Sequence, residues 1–169
     1  HFARYSYSFR LGAEYLGIDF SVFFQGVGKQ NWYPTQYSYT FWGPYSLPSV
    51  SFIPTDFESK VWSESNPDAY FPRARGNQAY SAGALSVNND RYLQNAAYLR
   101  LKNLSIGYTL PIKNNTILKK ARVYVACENL FYWSPMKKYT KAVDPELVNS
   151  TSTYQSKSGV GYGFSKSVS

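Results

Sequence analysis

From Tyr5 to Tyr15 the chain alternates without a break. Tyr5, Tyr7, Phe9, Leu11, Ala13 and Tyr15 are apolar or aromatic, while Ser6, Ser8, Arg10, Gly12 and Glu14 are polar or glycine. A period of two over this stretch predicts a β-strand longer than most globular ones. It is also the length, roughly 9–11 residues, with which a tilted strand crosses a bilayer. Leu16-Gly17 predicts a tight turn. Ile18, Phe20, Val22 and Phe24, set against Asp19, Ser21 and Gln25, predict a returning strand in which only Phe23 breaks the pattern. The two strands form a hairpin.

Residues 26–97 then read as one long excursion, rich in proline and poor in periodicity, with aromatics at Trp32, Tyr33, Tyr37, Tyr39, Phe41, Trp42 and Tyr45. A connection of this length is uncommon in a compact domain unless it is functional. Alternation returns from Asn103, with Leu104, Ile106, Tyr108 and Leu110 facing one way. Leu99 and Leu101 have the opposite phase, which predicts either a β-bulge or exit from the apolar layer. Pro111 ends that strand. A modest connection over 112–121, a fourth strand near 122–131, a loop over 134–161 and a fifth strand from about Tyr162 follow.

Short turns therefore alternate with long loops. That pattern predicts an all-β fold, an antiparallel transmembrane β-barrel, with the loops 31–97 and 134–161 on one side of the membrane. Tyr15 and Tyr108 fall at the short-turn end, and Tyr5 and Tyr7 at the other, where aromatic girdles lie. In such a barrel Phe9, Leu11, Ala13, Phe20, Val22, Phe24, Leu104 and Ile106 face lipid, and Arg10, Glu14, Asp19 and Ser105 face the lumen. The alternative is a secreted carbohydrate-binding β-sandwich, which would show similar alternation with shorter strands and more even loops. About five strands cannot close a barrel, whose smallest forms have about eight. The chain is thus expected to be a piece of a larger one.

Composition narrows the chemistry. The 169 residues hold 17 Tyr, 11 Phe and 4 Trp but one Cys, one Met and one His, so no intrachain disulfide framework or Cys-based zinc cluster is available. With His1 as the sole histidine, no Ser-His-Asp or Cys-His pair is expected, and no catalytic residue is assigned. No apolar run is long enough for a transmembrane helix, which says nothing against transmembrane strands. Residues 1–95 are neutral and 96–169 carry the whole net charge of +8, in short groups such as Lys113/Lys119/Lys120/Arg122 and Lys137/Lys138/Lys141. Without a recognition motif these read as a solvated or headgroup-facing rim, and no nucleic-acid partner is expected.

Lesser motifs add nothing catalytic. Gly159-Val-Gly-Tyr-Gly163 precedes a strand rather than a helix and reads as a flexible loop, not a phosphate cradle. Glu64, Asn66 and Asp68 fit no calcium-loop spacing, so no metal or other cofactor is expected. Asn103, Asn114 and Asn149 begin formal glycosylation sequons, to which no function is assigned. Asp144 and Glu146 lack the framework of a glycosidase pair. Cys127 reads as a small hydrophobe.

Several stretches resemble the SusC/RagA family of TonB-linked outer-membrane transporters of Bacteroidetes. They are Leu11-Gly-Ala-Glu-Tyr15 with Asp19-Phe-Ser-Val-Phe-Phe-Gln-Gly-Val-Gly-Lys29, then Asn66-Pro67 with Phe71-Pro-Arg73, then Tyr98-Leu-Arg-Leu-Lys-Asn-Leu-Ser-Ile-Gly-Tyr-Thr-Leu-Pro111. Arg122-Val-Tyr-Val, Glu128-Asn-Leu-Phe131 and Asp144-Pro-Glu146 complete the series, which spans nearly the whole chain. The chain departs from the family in carrying no plug domain or TonB box, in the short last strand, and in Cys127, where a small residue is expected. The resemblance implies the C-terminal portion of a roughly 22-stranded plugged barrel in the bacterial outer membrane. It implies TonB as energy source through the N-terminal part, a SusD-like surface lipoprotein as lid, and oligosaccharide or peptide as cargo. On that reading Trp32, Tyr33, Tyr37, Trp42 and Tyr45 are candidates for cargo or lid contact, since aromatic rings stack on sugars and enrich interfaces. Packing of the loop against its neighbours is the weightier reading of the same rings.

Overall fold

A computed structural model describes residues 5–46, 48–49, 51, 53–112, 120–148 and 166–168. The connection at 113–119, the Gly159–Gly163 stretch, the strand expected from Tyr162 and the sequons at Asn114 and Asn149 lie outside the described residues. The chain divides into two compact units. One is built on strands β1 (Ser6–Tyr15), β2 (Ile18–Val27), β5 (Tyr98–Pro111), β6 (Lys120–Trp133) and β7 (Ser167–Val168). The other gathers both long connections, Asn31–Ala96 and Met136–Gly163, and contains β3 (Asn31–Trp32), β4 (Gln94–Asn95) and three short helices, α1 (Tyr39–Trp42), α2 (Phe57–Lys60) and α3 (Asn77–Ser81).

The first unit is one antiparallel sheet in the order β1-β2-β5-β6-β7. It does not close on itself among the described residues, so the architecture seen is an open sheet and not a barrel. The expected hairpin is present, and its turn is tight: Leu16 and Gly17 have φ of 49° and 82°. Both central residues in the left-handed region make a type I′ turn, whose twist matches that of the flanking strands. The Gly17 carbonyl also accepts a 2.7 Å hydrogen bond from the Thr109 N–H, which ties the turn to β5.

Register explains the two irregularities in the pattern. Leu11 pairs with Val22, Val22 with Leu104 and Leu104 with Cys127. Directly paired residues share a face, so this row is apolar throughout. Phe23 falls on the other face, between Arg10 and Asn103. The Arg10 guanidinium lies 5.3 Å from the Phe23 ring centroid, a cation–π pairing that accommodates the aromatic there. The phase flip between Leu101 and Leu104 is a bulge, the first of the two expected outcomes. Phe23 pairs with Asn103 and Phe24 with Leu101, so the register passes over Lys102. One extra residue restores Leu99 and Leu101 to the apolar face, and β5 runs unbroken for 14 residues. On β6 the register passes over Asn129, at φ 50°, and Leu130. Strands β2 and β6 run past their expected ends, to Val27 and Trp133.

The second unit corrects the picture of an irregular excursion. It has its own core of Trp32, Phe41, Trp42, Tyr45, Phe71 and Leu85, joined by Met136, Val143 and Val148 from the later connection. Its aromatic rings meet edge-on or stacked: Phe41–Trp42 at 5.0 Å, Phe41–Phe71 at 5.5 Å and Tyr45–Phe71 at 5.3 Å between centroids. Such geometries add to the burial of large apolar areas.

The Leu16 backbone generates a prediction. A β-carbon in the left-handed region costs roughly 1–2 kcal/mol, which Asn partly avoids. Leu16→Asn should raise the unfolding free energy by about 1 kcal/mol, and a lower urea midpoint would contradict the turn assignment.

Candidate functional site

The sheet has two chemically opposed faces. On one, Leu11 is 59% exposed, Val123 64% and Val125 52%, with Phe9, Phe20, Ile106, Phe131 and Trp133 also exposed beside them. Isolated apolar side chains on a surface need no explanation, but a face of this extent does. Phe9 and Phe24 stack on it at 4.9 Å. At the end opposite the Leu16-Gly17 turn, Tyr7 crosses β2 above Gly26, and its hydroxyl donates to the Tyr98 carbonyl at 3.2 Å. A Cβ at Gly26 would strike both the Tyr98 carbonyl oxygen and the Tyr7 ring. Only glycine fits.

The other face carries Arg10, Glu14, Asp19 and Ser105, which the pairing brings to one side: Glu14 opposite Asp19, Ser21 opposite Ser105, Arg10 opposite Phe23. Near the Leu16-Gly17 end of this face is a group that sequence reasoning missed. Arg122 on β6 reaches across β5 to Asp19 on β2, with Nε to Oδ1 at 3.1 Å and Nη2 to Oδ2 at 2.5 Å. This is a two-pronged, charge-assisted pair. Gly107 lies beneath it; a Cβ there would come within 2.5 Å of Asp19 Oδ1 and 2.9 Å of Arg122 Nη2. An isolated glycine in an alternating strand is the signal that marks such a close approach. Arg122 also lies over the Tyr124 ring at 5.5 Å, and Arg100 over Tyr132 at 4.7 Å.

Both long connections leave the sheet at one end, where Val27 pairs with Tyr98 and Leu99 with Trp133. The five aromatic candidates within the unit they form do not share one environment. Trp42 is 1% exposed and Tyr45 2%, and Trp32 and Tyr33 are also buried. Trp42 Nε1 donates to the Thr35 carbonyl at 2.9 Å, and the Tyr33 hydroxyl to the Val87 carbonyl at 2.7 Å. These four rings pack the unit; Tyr37, 42% exposed, is the one at the surface. Arg91 closes the same unit by donating to the Tyr70 and Ala69 carbonyls, while Gln94 donates to the Tyr70 hydroxyl at 2.7 Å. Desolvation pushes the Tyr70 phenol up to about 12 and raises those of Tyr45, Tyr92 and Tyr33. Among the described residues no group of three or more His, Cys, Asp or Glu side chains is placed to hold a metal ion.

No protein-family model matches the chain, and no curated protein matches it. Solved structures do. The chain is similar to the RagAB peptide importer in its "open-open" state (22% identity over 83% of this chain, TM-score 0.50) and in its "closed-closed" state (23% over 83%, TM-score 0.52). It is similar also to a structure of the RagAB peptide transporter (24% over 82%, TM-score 0.54). Each match takes in 14% of the solved chain, so this chain spans about one seventh of the length of those it matches. The likeness is one of fold.

Two expectations follow from the buried rings. Trp42→Ala should destabilise by about 3–5 kcal/mol, as a large core truncation does, whereas Tyr37→Ala should leave stability within about 0.5 kcal/mol. Equal losses in chemical denaturation would contradict the packing. The raised phenols also set a pH dependence. Tyr70 stays protonated in the folded state while the unfolded chain ionises near its ordinary value of 10.0, so this contribution to stability is intact below pH 10 and is lost as pH rises through about 12. Tyrosinate absorbance should therefore rise in two phases, the second coincident with loss of tertiary structure.

Proposed function

We propose that the chain is part of the transmembrane wall of a SusC/RagA-type outer-membrane importer, with the apolar sheet face toward lipid and the Asp19–Arg122 face toward the lumen. The single observation that carries this reading is the apolar face that stays exposed among the described residues at Leu11, Val123, Val125 and their neighbours. In a water-soluble sheet the apolar side is the one packed away, and a sandwich would bury Leu11 and Val125 against a second sheet. A barrel in lipid inverts that arrangement and leaves a polar interior. Tyr7 with Trp133 at one end of the apolar face, and Tyr15 with Tyr108 at the other, fit two interfacial girdles. Eight residues separate Tyr7 from Tyr15, roughly 26 Å of strand before tilting. The likeness to RagAB structures supports the same reading, and their description as a peptide importer favours peptide over oligosaccharide as cargo. On this reading the unit built from both long connections lies outside the cell, where cargo and a SusD-like lipoprotein arrive. TonB supplies the energy through the plug-bearing part of the transporter.

The test is an asymmetry between faces. Leu11 lies in the middle row of the apolar face, so Leu11→Arg should cost about 2–4 kcal/mol of membrane-inserted stability, and Ser105→Arg on the opposite face about 1 kcal/mol or less. Both are measured on protein expressed from its native locus and recovered in outer-membrane fractions, by unfolding in lipid. Equal costs, or recovery of the chain in the soluble fraction, would reject the reading.

A further inference from the structure

We draw no further inference here: the strongest candidate, the exposed surface segment 72–75 that carries Arg73 and Arg75 from the buried Phe71 to α3 in the unit of the long connections, carries nothing, because two surface cations are not a built site and nothing in the structure shows what covers them.

Discussion

A sheet whose two faces meet different surroundings cannot slip by a single residue, because one step of register moves every side chain to the wrong side. Everything else in the strand unit follows from that constraint. The row Leu11–Val22–Leu104–Cys127 is apolar across four strands, and the neighbouring row Gly12–Ser21–Ser105–Ala126 is small or polar. The bulge at Lys102 is the device that keeps this true along all of β5. Without it Leu99 and Leu101 would share a face with Ser105, and Arg100 would sit among apolar neighbours.

Glycine provides the second device. At Gly26 a tyrosine crosses from β1 to β5, and at Gly107 an ion pair crosses from β2 to β6. Each crossing ties non-adjacent strands on one face and needs a strand between them that presents no side chain. Such ties matter most where strand faces stay exposed, as at Leu11, Val123 and Val125. Cross-strand contacts then supply the stabilisation that core packing provides elsewhere.

The unit made from the long connections solves a different problem. Segments of this length lose much conformational entropy when ordered, and this one offsets the loss with large rings. A Trp, Phe or Tyr buries much area while immobilising few torsions. The same economy leaves the unit with a core of aromatic rings and few aliphatic side chains.

The β1–β2 hairpin with a tight turn at Leu16-Gly17, the two-faced character of the sheet and the sharing of one face by Arg10, Glu14, Asp19 and Ser105 were legible in local alternation, whereas the I′ geometry of that turn and the far ends of β2 and β6 were not. A period of two is written residue by residue and needs no distant partner. The bulge was half legible: the phase flip pointed to it, but only pairing with both Phe23 and Phe24 distinguished a bulge from a strand leaving the layer. Tertiary structure alone decided the Asp19–Arg122 crossing, because its two ends are 103 positions apart and nothing local joins them. It also decided the fate of the loop aromatics. Composition marked Trp32, Tyr33, Tyr37, Trp42 and Tyr45 alike, yet burial depends on which ring finds Phe71 or Met136 across the chain. Tyr37 remained outside.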